Sequence, residues 1–432
     1  MKKVLLFVLL LPFCFSETIA QKLTEKESRD DYFKKYEVEL NSETINNLSF
    51  PFTFTSIVLI IDINDDFNNS FLVAGLDTFY ISENTDINKH QYSGKAKISK
   101  LIIFEEAVSN ISLLPDFNSE KIEIHLLNAG IPEKPTKKKF VNADSFDCSK
   151  PETIDQSIWR AGLPNPKQKA VYTKPEHIII HHSAGSNSNT NHLNTIRNIY
   201  LYHTQSKGWN DIGYNYVIAR DGTIYDGRDN QGIYEEDFIL GAHFCGKNSN
   251  TMGVSILGTY TNEAPTKESI FSLKKIISWK LLKDSLNPLD SFLHPKYGSN
   301  GYMLAVISGH RNGCATECPG EILYLLIPDL RNEISWIIKN CKLSDISTKQ
   351  KENDVLIFPQ PAKNFIYISS LLNNNNITKL NLYNIQGQFL LSREFPDTEN
   401  NIKLDVSEFN QGLYFIELFT NKEVIRKKIL IK

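Results

Sequence analysis

The amino-acid sequence predicts an α/β domain with a central sheet, placed between an N-terminal β-sandwich and a small C-terminal β-sandwich. Strand-like runs separated by Asn, Asp and Gly clusters fill both ends of the chain, a pattern typical of β-sandwiches. Between them, residues 148–341 mix the two-residue period of strands with the period of helices. A length of 432 residues also exceeds one ordinary domain.

The N-terminus has the pattern of a secretory signal peptide over residues 1–20. Lys2 and Lys3 precede an apolar run over residues 4–15, which is too short to span a bilayer. Residues 18–20, TIA, have the spacing of a cleavage site. We therefore expect export, no membrane span, and an oxidising compartment in which disulfides form.

Residues 21–145 are predicted to form the first β-sandwich, from runs such as FTFTSIVLII, FLVAG and KIEIHLL. His125 alternates with apolar residues along one such run, so we expect it to be structural. Nothing in this region resembles a reactive constellation. Its role is unassigned, and substrate or glycan binding is a hypothesis.

The middle region, residues 148–341, alternates predicted strands and helices. The strands are HIIIHH, MGVSILG, and a hairpin, YNYVIARDGTIY, with an Asp-Gly turn. Helical spacing covers residues 193–203 and 270–281, with Thr266 as the N-cap of the second helix. A third helix is expected to start at Pro319 and to be interrupted at Pro328.

Residues 342–353 are polar and charged, as in a linker, and residues 354–432 return to strand patterns. The net charge of -3 gives no electrostatic reason to expect nucleic acid or an anionic membrane as partner. Five cysteines remain if Cys14 leaves with the signal peptide. An odd number leaves one thiol outside the disulfides, either as a metal ligand or as a nucleophile.

The segment GHRNGCATECPG places His310 and Cys318 in a turn-prone loop. Catalytic zinc sites use three protein ligands drawn from His, Cys and carboxylate, and leave one position for water. The third ligand is expected from IIIHHSAG or from His243. Because adjacent strand residues point to opposite faces, only one of His181 and His182 can reach a given metal. A core histidine beside a disulfide and a Cys-His nucleophile are the alternatives.

Four segments together resemble the peptidoglycan recognition protein family, which shares its fold with the phage-lysozyme type of N-acetylmuramoyl-L-alanine amidase. They are IIIHHSAG, KGWNDIGYNYVIARDGTIYDGRD, GAHFCGKNSNTMGVSILGTY and GHRNGCATECPG. The resemblance covers about residues 150–340. It implies a mixed central sheet flanked by helices, with Zn²⁺ at the floor of a cleft.

The resemblance implies that His181, His310 and Cys318 are the metal ligands. Cys314 is then available for a disulfide. Tyr214, of the segment DIGY, would face the zinc, and Thr316 would assist as a hydrogen-bond donor to an oxyanion. Both are therefore predicted to be catalytic. Members that lack the cysteine are typically receptors, so its presence here favours catalysis.

The implied activity is hydrolysis of the amide between muramic acid and L-alanine by a zinc-dependent N-acetylmuramoyl-L-alanine amidase. The alternative is a non-hydrolysing peptidoglycan-binding protein. We predict that His243, Arg228 and Asn215 bind substrate, whereas Trp209 and His203 are structural. The stretch GRDNQGIYEEDFILGAH departs from the family pattern, so specificity for diaminopimelate or lysine stems is open.

The C-terminal segment resembles the sorting domain of the type IX secretion system. The match rests on Pro359, Pro361, Gly387, Gly412 and Tyr414. It implies a Bacteroidetes-type bacterium, passage through the secretion machinery, and a secreted or cell-surface protein. An accessory carbohydrate-binding sandwich is the alternative. We further expect a monomer with peptidoglycan or muropeptides as partner.

Four cysteines allow three full pairings. Of these we prefer Cys314 with Cys341 and Cys148 with Cys245.

Overall fold

The structure is a computed structural model. It describes residues 23–40, 45–84, 95–130, 148–295, 301–348, 355–358, 361–370, 377–385, 387–399, 401–420 and 424–432. The chain divides into two compact units, Met1–Lys339 and Asn340–Lys432. The predicted signal peptide and residues 349–353 of the predicted linker lie outside the described residues. The domain boundaries themselves stay a prediction.

The N-terminal region is all β, as predicted. Its strands are β1 (Leu23–Arg29), β2 (Phe33–Glu39), β3 (Asn46–Asp62), β4 (Phe71–Ala74), β5 (Asp77–Tyr80), β6 (Ala96–Ile98), β7 (Ile102–Leu114) and β8 (Lys121–Leu127). They hydrogen-bond as one sheet in the order β1-β2-β8-β3-β7-β4-β5, with β6 on β3. Inward-facing aromatic and branched residues, such as Phe54 and Leu59, fill its core. The two-sheet sandwich stays a prediction.

The middle region contains a mixed sheet with helices. Its helices are α1 (Gln156–Trp159), α2 (His192–Leu201), α3 (Lys267–Lys283) and α4 (Glu321–Thr348). Its strands are β9 (His177–His182), β10 (Tyr216–Ile218), β11 (Ile224–Asp226), β12 (Thr251–Ile256), β13 (Ser291–His294), β14 (Tyr302–Ala305) and β15 (Ile307–Gly309). The sheet order is β11-β10-β12-β9-β15. All but β11 run parallel.

Successive side chains of the central strand β9 point to opposite faces of the sheet, and the two faces have different surroundings. Ile178 and Ile180 pack into the core formed with α3 and α4. Ile179 faces the other side, beside Phe244. His181 therefore points to the face that carries no α3 or α4. The predicted hairpin is β10 and β11, and Thr266 caps α3 by accepting a hydrogen bond from the backbone of Ser269.

The prediction that Pro328 interrupts the last helix is wrong. α4 runs through Pro328 and continues across residues 342–348, which the sequence assigns to a linker. The loss of one backbone donor is offset by an apolar stripe at helical spacing that packs into the core. Its members are Leu323, Ile327, Leu330, Ile334 and Ile338.

The C-terminal unit has two antiparallel sheets that share one apolar core. Its strands are β16 (Val355–Phe358), β17 (Phe365–Ser370), β18 (Ile377–Asn384), β19 (Phe389–Glu399), β20 (Asn401–Asp405), β21 (Gly412–Thr420) and β22 (Val424–Ile431). The sheet orders are β16-β17-β20 and β19-β18-β21-β22. Pro359 lies outside the described residues. Within the described part of the chain, no helix is long and apolar enough to cross a membrane.

Candidate functional site

The three residues predicted as metal ligands meet at one point. His181 is near the carboxyl end of β9, and His310 begins the short turn that follows β15. Ligand atoms of His181, His310 and Cys318 all lie within 4.8 Å of one another. Their side chains are buried, with 1%, 8% and 2% of their surface exposed. The carboxyl ends of neighbouring parallel strands, where α/β proteins build their sites, bring them together.

Cys318 is held against the end of β9. Its Sγ lies 3.7 Å from His181 Nδ1 and accepts a hydrogen bond from the backbone N–H of His182 at 3.4 Å. The His182 ring faces the opposite side of the strand, where its Nδ1 accepts from the backbone N–H of Tyr260 at 3.3 Å. The prediction that only one histidine of the pair reaches the cluster is confirmed.

His243 contacts His181. His181 Nε2 and His243 Nδ1 are 3.0 Å apart, and His243 Nε2 lies 3.2 Å from Thr251 Oγ1. The Thr251 hydroxyl donates to the backbone carbonyl of Asn248 at 2.8 Å. Its oxygen therefore accepts from His243 Nε2–H, so His243 Nδ1 accepts from His181 Nε2–H. This network leaves the lone pair of His181 on Nδ1, the atom beside Cys318.

Two glycines make room for the His243 ring. A Cβ at Gly241 or at Gly253 would overlap the imidazole. Gly241 comes two residues before His243, and Gly253 lies on the neighbouring strand β12. The glycines of LGAH and MGV are therefore the sequence signal for a tightly enclosed histidine, and sequence reasoning missed it.

The electrostatics of the cluster favour uncharged imidazoles. Burial lowers the pKa of His181 well below its usual value, and the neighbouring His310 and His243 lower it further. Burial and His310 act in the same way on the pKa of His243. Neutral imidazoles have the lone pair that a metal requires, whereas protonated ones do not.

The preferred disulfide pairing is wrong. Cys245 is bonded to Cys314, with a Cα–Cα distance of 6.1 Å, because the loops that carry them meet at the rim of the same cavity. Cys148 and Cys341 are also disulfide-bonded. Cys318 retains its thiol, as the odd count predicts. The group Cys245, His310 and Cys314 also converges, but its sulfurs are already bonded to each other.

The cluster opens into a cavity of about 590 Å³, which Tyr214, Thr316 and His243 also line. The Tyr214 ring centroid is 5.2 Å from that of His181. Thr316 Oγ1 accepts a hydrogen bond from the backbone N–H of Cys318 at 3.0 Å. The structure thus brings both residues predicted to be catalytic beside the cluster.

His203 and Trp209 form part of the cavity wall. Their rings stack with centroids 4.6 Å apart. His203 Nδ1 accepts from the backbone N–H of Gly213 at 3.2 Å. Both residues are thus packed as predicted, although they also face the cavity.

Asn215 and Arg228, predicted to bind substrate, do not line this cavity. Asn215 is fully buried, where its side chain donates to the backbone of Ile239 at 2.6 Å and accepts from Gly253 at 2.9 Å. Arg228 Nε donates to the backbone carbonyl of Ile212 at 2.9 Å. Both side chains join backbone segments, which explains their place in the motif without a substrate.

Sequence reasoning missed one wall of the cavity altogether. Asn84, Lys100, Leu101 and Ile103 of the N-terminal β region line the same space as His181. No local signal identifies Lys100, Leu101 or Ile103, because residues 95–104 have the pattern of an ordinary strand segment. Their position follows from tertiary packing alone.

Comparison with known families finds two matches. Residues 171–321 match the family described as N-acetylmuramoyl-L-alanine amidase. Residues 356–432 match the family described as Secretion system C-terminal sorting domain. The first match contains the whole His181, His310 and Cys318 cluster.

Curated relatives give the same result for the middle region. Peptidoglycan-recognition protein SC2 of Drosophila simulans is 34% identical over 185 residues, 42% of this chain and 86% of the relative. The N-acetylmuramoyl-L-alanine amidase of Homo sapiens is 32% identical over 248 residues, 56% of this chain and 39% of the relative.

Among solved structures, wild-type Drosophila PGRP-LB is 29% identical, with 41% of this chain and 92% of that chain covered at a TM-score of 0.32. The sequence relatives and the family matches decide the assignment. The chain belongs to the family of peptidoglycan-recognition proteins and N-acetylmuramoyl-L-alanine amidases, and it carries a secretion-system sorting domain at its C-terminal end.

Proposed function

We propose that this chain is a secreted, zinc-dependent N-acetylmuramoyl-L-alanine amidase. It would hydrolyse the amide that joins the lactyl group of muramic acid to L-alanine in peptidoglycan. The observation that carries the proposal is the buried convergence of His181, His310 and Cys318 at the floor of an open cavity. A structural core would have no need of a buried thiol held beside two imidazoles.

The donor set fits Zn²⁺. Two imidazole nitrogens and one sulfur are ligands that zinc accepts, and three protein ligands are typical of catalytic rather than structural sites. The hydrogen bond from His181 Nε2–H to His243 Nδ1 leaves the other nitrogen of His181 available to the ion. When bound, Zn²⁺ supplies a Lewis acid that lowers the pKa of water and polarises a carbonyl.

The remaining site residues orient and enclose the substrate. Tyr214 and Thr316 supply hydroxyls beside the cluster, where they can donate hydrogen bonds to the amide oxygen as negative charge develops on it. Neither carries a positive charge, so they assist rather than neutralise. His243 serves as a positioning residue, because both of its ring nitrogens already contact protein groups.

Two segments of the chain support export. The sorting domain at residues 356–432 supports passage through the type IX secretion machinery of a Bacteroidetes-type bacterium, and the signal-peptide pattern at residues 1–20 supports the preceding step. An oxidising destination suits the disulfide between Cys245 and Cys314. Secretion also brings the enzyme to peptidoglycan fragments outside the cytoplasm.

The test is a product analysis on the full chain. The protein is incubated with muropeptides, with and without chelator, and the products are identified by mass spectrometry. Release of intact stem peptides with a free L-alanine amine, restored by zinc and lost in Cys318→Ser, is the expected result. Binding without cleavage at full zinc occupancy would instead establish a recognition protein. Cleavage that persists in chelator would indicate a thiol hydrolase.

A further inference from the structure

The N-terminal β region builds one side of the cavity that contains the metal cluster. Asn84, Lys100, Leu101 and Ile103 face the same space as His181. On β7, Ile102 and Phe104 point into the β core, and the alternation of the strand turns Ile103 outward to the cavity. The cavity therefore has a wall that the matched family segment, residues 171–321, does not supply.

The N-terminal region that carries this wall is hydrogen-bonded to α2, which itself lines the cavity through Thr195 and Ile199. Arg197 of α2 is 6% exposed and donates from Nε and Nη2 to the carbonyl of Ala129 at 3.0 and 2.6 Å. Thr55 of β3 donates to Asn198 Oδ1 at 2.7 Å. Such buried, satisfied hydrogen bonds hold the two parts in one relative position.

The backbone that carries Lys100 is also held in place. Its N–H donates to the carbonyl of Ser82 at 2.8 Å, and its carbonyl accepts from the hydroxyl of Ser99 at 2.9 Å. Nearby, Asn84 Nδ2 donates to the hydroxyl of Tyr202 at 3.3 Å, which links this wall to the end of α2.

Among the described residues that line the cavity, the formal charges are positive. Lys100 and Lys207 are among its described lining residues, and no Asp or Glu is. The Lys207 ammonium lies 5.0 Å from the Tyr202 ring centroid and 4.8 Å from that of Trp209. Lys100 makes no ion pair with any carboxylate in the described part of the chain. A cationic side chain in a cavity with low-dielectric walls attracts an anionic ligand.

We propose that this wall is a second binding site, in which Lys100 holds a carboxylate of the stem peptide. The inference rests on the proposed function, because it takes its ligand class from the same substrate. It assigns the N-terminal region to substrate selection: stems that bear free carboxylates bind, and stems whose carboxylates are amidated bind more weakly.

The test compares two soluble muropeptides that differ only in their stem carboxylates, which are free in one and converted to carboxamides in the other. KM and kcat are measured for the zinc-loaded full chain and for Lys100→Gln. Lys97→Gln is the matched control, because Lys97 lies on the adjacent strand β6 and does not line the cavity. A charge-assisted contact of this kind predicts a KM about tenfold higher in Lys100→Gln, for the free-carboxylate substrate only.

An unchanged KM in Lys100→Gln, or an equal rise with the amidated substrate, would overturn the proposal. A loss of kcat alone would also overturn it, because it would place Lys100 in the reaction rather than in binding. If the wild-type chain cleaves neither substrate, the proposed amidase activity fails separately. Titration calorimetry with the same two muropeptides then decides whether Lys100 selects the carboxylate.

Discussion

Replacing His243 by leucine tests the hydrogen-bond network behind the metal cluster. The change removes the nitrogen that accepts from His181 Nε2–H and leaves that buried donor without its partner. His181 can then place its proton on Nδ1, the atom that faces Cys318. A histidine in that tautomer must move its proton before Nδ1 can bind a metal.

The expected size of the effect follows from comparable networks. Loss of a group that orients a metal-binding histidine costs about 10- to 100-fold in metal affinity. At about 1.4 kcal/mol per factor of ten, this corresponds to about 1.4–2.8 kcal/mol of binding free energy. The unpaired buried N–H also lowers the free energy of unfolding by about 1–3 kcal/mol.

The assay is a competition between the protein and a chromophoric chelator for Zn²⁺, at a pH where both proteins are folded. His243→Asn is the matched control, because an asparagine oxygen can occupy nearly the same place as Nδ1. We expect His243→Leu to bind zinc about 10- to 100-fold more weakly and His243→Asn to recover most of that loss. Equal zinc affinity in His243→Leu and the wild type would refute the positioning role.

Three further predictions concern the surroundings of the site. Gly253→Ala places a Cβ against the His243 ring, so zinc affinity in the same competition should fall by about tenfold, and an unchanged value would show that the ring can relocate. A fragment of residues 148–341 should lose cooperative thermal unfolding, because it exposes the face of α2 that packs on the N-terminal region; a sharp transition near that of the full chain would contradict this. Burial lowers the pKa of His177 to about 4 from 6.5. The neutral His177 ring therefore contributes its full stability above pH 6.5, and this contribution is lost as the pH falls toward 4, because the unfolded chain takes up the proton first. The stability of His177→Phe, followed by denaturant titration, should therefore decline less over that range, and a slope equal to the wild type would contradict the assignment.

The convergence of His181, His310 and Cys318 could be predicted only in part from the residues themselves. The strand alternation in IIIHHSAG allows one histidine of the pair at the site, and the odd cysteine count leaves one thiol outside the disulfides. The choice of His181 and Cys318 came from the resemblance to the family. The β10–β11 hairpin of the mixed sheet could be predicted from a short segment, since it contains its own turn signal.

The parts that could not be predicted depend on contacts between distant residues. His243 and His181 are 62 positions apart, and Cys245 and Cys314 are 69 apart. Short sequence patterns therefore do not identify which of these residues contact each other in the folded chain. Asn215 has the residue type of a substrate ligand, but packing buries it completely. The persistence of α4 through Pro328 likewise reflects tertiary burial of its apolar stripe.

The central claim is that this cluster holds a catalytic metal, and a zinc titration of the metal-free full chain tests it most directly. The rate at which L-alanine amines are released from a muropeptide is measured as Zn²⁺ is added. We expect a rate that rises in proportion to zinc and saturates at one ion per chain, with no rise in Cys318→Ser. Full zinc occupancy without release, or release that needs no metal, would contradict it.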